Sequence, residues 1–397
     1  MEQKPFADKF ATPPQVASDV PATTAAIGKL NLSEPAQFDG TAASRAEFAV
    51  TASGADGTNG VHEQSLDRIV TTTADLKLPV SSADAAVIRT PLGRSLDTSR
   101  PASRAPYNAE QLNKYAQLLA NVSKWTDIPE SSARGAKISP IQDYERMFLT
   151  RDCLFRYLRA TSWKVDQAET RLKATLVWRR EYGTDKLTAD YISIENETGK
   201  QVILGWDNVG HPCCYLRPSK QNTERSDRQI EHLVYMLERT VDLMPPGQEM
   251  LALLINFAET SKGQGATLAQ GKQTLNILQN HYPERLGRAL VSNVPWYIWG
   301  FFKLITPFID PVTREKIKFN EDYGLYVPRE QLLKEAQGKV QFEYDHAQYW
   351  PALTKLCAMK KEAYVKRWEA AGKQIGEYEM YLRGGDQKSL REVTNNV

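Results

Sequence analysis

The sequence predicts an α/β fold that follows a lobe of helices, and three features of the chain support this prediction. From residue 107 to 187, apolar residues recur at steps of three and four, as they do along one side of an α-helix. After residue 200 there are short, nearly continuous apolar runs, which are typical of parallel strands covered on both faces. Amphipathic segments separate these runs, so strands and helices alternate, as in a sheet with helices layered on it.

Aromatic residues mark where the folded part of the chain begins. All eight Trp lie at or beyond Trp125 and all 17 Tyr lie at or beyond Tyr107. Residues 1–106 therefore have too little large apolar surface to offset the conformational entropy that is lost on ordering. The expected parts are a disordered tail over residues 1–106, a helical N-terminal lobe over 107–187, an α/β lobe over 188–345 and a C-terminal helical extension over 346–397.

Individual elements follow from these patterns. One helix carries an apolar stripe made of Leu149, Cys153, Leu154, Tyr157 and Leu158. The next helix is expected to have Asp166 as its N-cap and Gly183 at its end. Strands are predicted at Gln201–Trp206, Pro212–Leu216, Met250–Phe257 and Arg288–Val294.

Composition and charge exclude several classes of protein. Fifty Lys and Arg against 48 Asp and Glu give a formal charge of +2, too balanced for a nucleic-acid binder that works by bulk charge. The four Cys and five His form neither a redox pair nor a metal-ligand cluster. Residues 289–302 are the longest uncharged stretch and fall short of the roughly 20 apolar residues that span a bilayer. No secretory signal is recognisable at the N-terminus, so we expect a cytoplasmic protein.

Enzymatic motifs are incomplete. A glycine-rich loop follows the strand near residue 255, but Ala266 and Gln273 occupy positions that a phosphate-binding P-loop reserves for Gly and for Ser or Thr. The sequence contains no G-x-S-x-G nucleophile elbow. His281 beside a turn proline is more typical of a structural histidine than of an acid–base pair with Glu284. We therefore predict no catalytic residues.

The segment from 295 to 309 is apolar on nearly every side of a helix. Such a helix is buried in the core, lies at a membrane interface or covers an apolar cavity. Two Trp and the single Lys303 favour the membrane interface, because indole and ammonium groups suit the headgroup boundary.

Directly after this segment, Asp310 and Pro311 are typical of a helix start. Thr313 and Lys316 would then share a face near the helix N-terminus, where backbone N–H groups favour an anion such as phosphate. An ordinary surface salt bridge of Lys316 is the alternative.

Four motifs in register carry a family resemblance. They are the helical-lobe runs at residues 157–168 and 178–183, the Tyr-Pro-Glu-Arg turn at 282–285 and the Pro-Phe-Ile-Asp-Pro-Val-Thr run that reaches Lys316. Together they resemble the CRAL-TRIO lipid-binding domain of fungal phosphatidylinositol transfer proteins over about residues 140–325.

The resemblance implies a mixed, mostly parallel sheet that floors a deep apolar pocket beside the helical lobe. The helix within residues 296–309 would act as a gate that opens at the membrane. By the same resemblance, Glu284, Thr313 and Lys316 would handle the inositol phosphate, with Glu284 holding Lys316 in place. The gate residues implied are Trp296, Trp299, Phe301, Phe302 and Phe308.

Two departures from the family pattern bear on the ligand. Thr161 stands where the family often has a second basic residue for the inositol phosphate. Leu251 and Leu253 replace the Ser and Thr that bind phosphatidylcholine in the prototype, and Tyr235 is placed with them in the pocket. A choline phosphate without polar partners is costly to bury, so a sterol-like second lipid is expected instead.

The combination is most similar to the fungal subgroup tied to azole tolerance and sterol balance. It implies non-enzymatic binding and transfer of phosphatidylinositol, with no cofactor, no nucleic acid and transient contact with a membrane surface. The implied location is cytoplasmic and peripheral on endoplasmic reticulum, lipid droplets or the cell periphery. Two alternatives remain open: presentation of lipid to a phosphoinositide kinase, and a sterol carrier with a vestigial inositol site.

Overall fold

A helical lobe precedes the sheet in the computed structural model. The structure describes residues 76–81, 86–261 and 263–394, without the side chains of Tyr297, Phe301 and Phe308. The predicted disordered tail lies outside the described residues from 1 to 75. The lobe contains α1 (Ala109–Val122), α2 (Asp143–Phe148), α3 (Arg151–Ala160), α4 (Val165–Tyr182) and a small hairpin of β1 (Asp127–Pro129) and β2 (Ile138–Pro140).

Local capping sets the limits of the helices in the lobe. Thr150 accepts a hydrogen bond from the backbone N–H of Cys153 and so begins α3. Gly183 ends α4 with φ at +73°, as expected, because glycine adopts this left-handed conformation without steric cost. The expected N-cap at Asp166 is wrong: α4 begins at Val165, so Asp166 is its second residue, where its charge suits the positive helix end.

The sheet has five strands in the order β3-β4-β5-β6-β7. The strands are β3 (Gln201–Trp206), β4 (Pro212–Leu216), β5 (Leu251–Asn256), β6 (Leu286–Ser292) and β7 (Ile317–Phe319). Only β3 and β4 pair antiparallel, and the other neighbours are parallel. The predicted mostly parallel α/β arrangement is confirmed, although β7, with three residues, was not foreseen from the sequence.

Helices cover one face of the sheet. The elements between and after the strands are α5 (Ala189–Ser193), α6 (Arg228–Asp242), α7 (Leu268–His281), α8 (Trp296–Ile305) and α9 (Pro311–Glu315). Leu251 and Leu286 of the sheet share an apolar cluster with Val234 of α6 and Ile277 of α7. This burial removes apolar surface from water and fixes α6 and α7 on the sheet.

Residues before α1 also belong to the core. Ile88 forms an isolated parallel bridge with Phe342, and Leu92 is 1% exposed. Both lie in the same apolar cluster as the sheet residue Leu254. The sequence assigned these residues to the tail, and the structure places them in the folded unit instead.

The C-terminal part consists of α10 (His346–Ala370), α11 (Glu379–Leu382) and α12 (Leu390–Thr394). The Tyr349 hydroxyl of α10 donates to the carbonyl of Ile203 at 2.8 Å and accepts from its N–H at 2.7 Å. Because β3 is the edge strand, this side chain satisfies backbone groups that another strand would otherwise pair. In the described part of the chain, every helix is too short or too polar to cross a bilayer.

Candidate functional site

The two faces of the central strand differ in burial. In β5, Ala252 and Leu254 are at most 1% exposed, whereas Leu253 and Ile255, which point to the opposite face, are only half-buried. A central strand of a mostly parallel sheet is normally covered on both faces. Apolar surface of Leu253 and Ile255 on this face is therefore not fully covered by the protein's own side chains, and we call the region beside it the apolar space.

Helix α8 covers one end of the half-buried face of the sheet. The ring of Phe302 lies edge-on to Phe257, which follows β5, with centroids 6.4 Å apart, and edge-on to Phe319 of β7 at 5.2 Å. Trp299 packs against the same Phe319 ring at 4.8 Å. These aromatic contacts hold the inner side of α8 to the sheet.

The outer side of α8 presents apolar groups to solvent. Trp296 is 84% exposed and Leu304 is 59% exposed, and Lys303 lies exposed between them on the helix surface. Of the two Trp predicted to dock together, only Trp296 is largely exposed, because Trp299 turns toward Phe319. The side chains of the other two predicted gate residues, Phe301 and Phe308, lie outside the description.

Tyr235, one of the predicted pocket residues, does not border the half-buried face. Tyr235 is 3% exposed, packs against Trp350 of α10 and lies under the guanidinium of Arg239 at 4.8 Å. Leu251 is 2% exposed within the cluster beneath α6 and α7. Leu251 and Leu253 point to the same face of β5, and Leu253 is the less buried of the two.

Two of the predicted headgroup residues, Lys316 and Glu284, lie near the first residue of β6. Lys316 donates from Nζ to the carbonyl of Leu286, the first residue of β6, at 2.8 Å. Glu284 lies two residues before Leu286, with φ at +60°. Thr313 stands in α9, which Lys316 directly follows, and its N–H donates to Asp310 at 2.8 Å. Asp310 is therefore the N-cap, as the sequence predicted.

Asp310 interacts electrostatically with both Thr313 and Lys316. Burial alone would raise its pKa, but hydrogen bonds from Thr313 and the charge of Lys316 lower the pKa below its ordinary value. The carboxylate stays charged at neutral pH and orients the turn that carries both Thr313 and Lys316.

The expected ion pair between Glu284 and Lys316 is not formed among the described residues. Glu284 instead lies 3.5 Å from Nε of Arg159 on α3. Arg159 also donates to the Tyr107 hydroxyl at 2.6 Å and to Glu249 at 3.1 Å. This basic residue thus reaches the Tyr-Pro-Glu-Arg turn from the helical lobe.

Arg159 was missed as a site residue, although it stands inside a motif that the sequence singles out. Its neighbour Thr161, where the family often has a base, is occupied locally: its hydroxyl donates to the carbonyl of Tyr157 at 2.9 Å. Arg159 is already paired with Glu249 and Glu284, so it does not replace a basic residue at position 161.

A buried ion network fixes the position of Arg159. Glu249 accepts from Arg156 at 2.9 Å and also pairs with Arg104, and Arg156 reaches Glu379 of α11 at 2.6 Å. Burial would raise the pKa of Glu249, but the charges of Arg156, Arg159 and Arg104 lower it to about 2. The network joins the helical lobe, the sheet and the C-terminal part of the chain.

His281 has a structural environment. Its ring stacks on Trp178 with centroids 4.2 Å apart, and its Nδ1 lies 3.2 Å from the Thr175 hydroxyl. Burial, with added repulsion from Arg171 and Arg179, lowers the pKa of His281 to about 3. The imidazole is neutral at physiological pH and buried in an aromatic stack, as a core histidine is.

Comparisons with known proteins give a consistent result. The family model for the CRAL/TRIO domain matches residues 196–338, and that for the CRAL/TRIO N-terminal domain matches 114–174. A CRAL-TRIO domain-containing protein of Schizosaccharomyces pombe is 50% identical over 279 residues, covering 70% of this chain but 28% of that protein. The phosphatidylinositol transfer protein PDR17 of Saccharomyces cerevisiae is 38% identical over 270 residues, covering 63% of this chain and 77% of that protein.

A solved structure is similar at lower identity. The crystal structure of Sfh5 matches 56% of this chain and 84% of its own, with 15% identity and a TM-score of 0.42.

Proposed function

Because the chain belongs to the CRAL-TRIO family, we propose that it binds a phospholipid in its apolar space and transfers it between membranes without breaking a covalent bond. The observation that carries this proposal is the half-buried face of the central strand under a helix with an apolar outer side. An apolar space beside an apolar, exposed helix suits a ligand that leaves one membrane for another. The name of PDR17, a phosphatidylinositol transfer protein, supports the same class of ligand.

The headgroup decides which lipid is bound. Burying acyl chains gains about 0.8 kcal/mol per CH₂ relative to water, but the bilayer already supplies the same gain. Net preference must therefore come from polar contacts, and Lys316 and Glu284, near the first residue of β6, provide them together with Thr313 of α9. We add Arg159 to this set as a positioning residue for Glu284. A phosphate would draw on Lys316 and the Thr313 hydroxyl.

The proposed ligand is phosphatidylinositol, with a sterol-like lipid as the second guest. Leu253 and Ile255 offer no hydrogen bond to a choline phosphate, so a second lipid without a charged headgroup fits this face better. Transient membrane contact through α8 follows from the exposure of Trp296 and Leu304. The alternative, presentation of bound lipid to a phosphoinositide kinase, would use the same pocket. A variant that cannot exchange lipid distinguishes the two functions: it would still stimulate the kinase if presentation is the function. We propose a cytoplasmic protein that visits endoplasmic reticulum, lipid droplets or the cell periphery, which fits the azole-tolerance subgroup.

Extraction of lipid from the purified protein, followed by mass spectrometry, tests the proposal. We expect phosphatidylinositol in near-stoichiometric amount. If sterol or another neutral lipid is found without phosphatidylinositol, the sterol-carrier alternative is supported, and the site at Lys316 and Thr313 binds no lipid headgroup. Absence of any lipid, together with no transfer between vesicles, would remove lipid carriage altogether.

We expect Leu304→Asp to lower vesicle binding several-fold. The side chain is 59% exposed on the outer side of α8, and a carboxylate there must be desolvated at the membrane interface. Leu325→Asp is the matched control, since Leu325 is 66% exposed and does not belong to α8. Co-sedimentation with vesicles measures both variants, and equal binding by the two would show that α8 is not the docking surface.

A further inference from the structure

A second cavity lies apart from the apolar space. It has a volume of about 350 Å³ and is walled by the helical lobe, α6, α10 and α11. None of its lining residues comes from β5 or α8, and neither Glu284 nor Lys316 lines it. Its volume is that of a small-molecule site, about 300–1,000 Å³ for typical ligands.

The wall of this cavity carries more positive than negative charge. Seven Lys and Arg side chains line it, against five carboxylates. Each carboxylate has a cationic partner within 4 Å: Glu145 with Arg180, Asp185 and Glu238 with Arg179, Asp242 with Arg239, and Glu379 with Arg156. Two of these partners, Arg180 and Arg239, are not lining residues, so lining carboxylates are neutralised from outside the cavity.

Several lining cations lack a carboxylate. In the described part of the chain, Arg285 and Arg367 donate only to backbone carbonyls and a thioether sulfur, and Lys360 has neither a hydrogen bond nor an ion pair. Burial, with repulsion from Arg383 and Arg367, lowers the pKa of the Lys360 ammonium. Burial and the charge of Arg156 also lower the pKa of Arg285, and the charge of Glu379 opposes this shift only in part. A partly buried cation without a hydrogen-bonded carboxylate is incompletely compensated, so these three groups can accept a further anion.

We propose that this cavity binds a small, soluble phosphate ester through Lys360, Arg285 and Arg367. Guanidinium groups match phosphate oxygens with pairs of parallel hydrogen bonds, and an ammonium adds a compact charge. The remaining wall includes Phe148 and Tyr364, which suit the organic part of a phosphorylated metabolite better than free phosphate alone. The site shares no proposed ligand residue with the lipid headgroup site, although Pro283 and Arg285, on either side of Glu284, line the cavity.

Isothermal titration calorimetry on the full chain tests this site. The probes are glycerol 3-phosphate, inositol 1-phosphate and inorganic phosphate, with vesicles of phosphatidylcholine containing phosphatidylinositol as the lipid source of the same chemistry. Lys360→Met removes the charge while keeping the length of the side chain, and Arg367→Met is a second variant should the first fail to fold. Lys355→Met is the matched control, since Lys355 is exposed on the same helix and does not line the cavity.

We expect the native chain and Lys355→Met to bind a phosphate ester alike, and Lys360→Met and Arg367→Met to bind it about tenfold or more weakly, the effect of losing one charged hydrogen bond. Transfer of phosphatidylinositol between vesicles should be unchanged in all variants. Three results would overturn the proposal: no binding of any soluble probe by the native chain, equal binding by Lys360→Met, or loss of phosphatidylinositol transfer in Lys360→Met. The last would assign the cavity to the lipid headgroup.

Discussion

Lys316→Ala is expected to reduce transfer of phosphatidylinositol by about tenfold or more while sparing transfer of a sterol. A charged hydrogen bond contributes about 1.5–3 kcal/mol, and the phosphate of the headgroup is its partner in the proposed site. A sterol has no phosphate and draws nothing from Lys316. The measurement is transfer of each lipid, separately labelled, from donor to acceptor vesicles.

The matched control for this variant is Lys318→Ala. Lys318 stands in β7 opposite Leu290, so it points to the sheet face away from Leu253. Lys316 also holds the carbonyl of Leu286, so thermal melting of both variants should accompany the assay. Equal loss of phosphatidylinositol and sterol transfer in a folded Lys316→Ala protein would contradict a headgroup role and leave Lys316 a structural one.

Glu249→Gln should lower the free energy of unfolding by about 3 kcal/mol, as the loss of one partner from a buried ion pair does. The substitution keeps the shape of the side chain but removes the charge that faces Arg156, Arg159 and Arg104. Arg156, with a side chain 3% exposed, would keep only Glu379 as a partner. Urea unfolding measures the change.

Glu343→Gln is the control for Glu249→Gln, because it breaks an ion pair at the surface of the protein. Glu343 pairs with Arg89, but its side chain is 60% exposed, and such pairs are worth at most about 1 kcal/mol. If the two variants lost equal stability, the network around Glu249 would contribute no more than a surface pair.

The ion network around Glu249 also makes the free energy of unfolding depend on pH. The pKa of Glu249 is about 2 in the folded protein, below its ordinary value of 4.5, so its stabilising effect is complete above pH 4.5. That effect is lost as the pH falls from 4.5 toward 2, because the unfolded chain takes up the proton first. Unfolding measured across this range should therefore show a weaker pH dependence for Glu249→Gln than for the native chain.

Local signals in the sequence were enough for most of the sheet. The first two predicted strands agree with β3 and β4 at both ends, and β5 differs by one residue at each end. The strand predicted at Arg288–Val294 is wrong at both ends, since β6 begins and ends two residues earlier. Apolar runs bounded by turn residues carry this information within a few positions. β7 could not be foreseen, since three residues are too short for any periodic pattern, and its pairing with β6 depends on Lys316 and Ala289 meeting in space.

The site was predicted less completely because its contacts are distant in sequence. Glu284 and Lys316 were expected to pair, yet the nearest cation to Glu284 comes from Arg159, more than a hundred residues earlier. The position of Tyr235 in the sequence predicted a pocket residue, but the ring of Trp350 in α10 packs against Tyr235. Side-chain direction at both places is set by packing between separate parts of the chain, which spacing along one segment does not encode.

The cover that Ile88 and Leu92 form over the sheet has a consequence for the shortest chain that can fold alone. The family-matched residues, 114–338, exclude this cover and also exclude Tyr349, which satisfies the edge strand at Ile203. A protein trimmed to those residues would expose part of its apolar cluster and an unpaired strand edge, the two features that promote aggregation. The autonomous folding unit therefore starts at least 26 residues before the matched region and ends beyond α10.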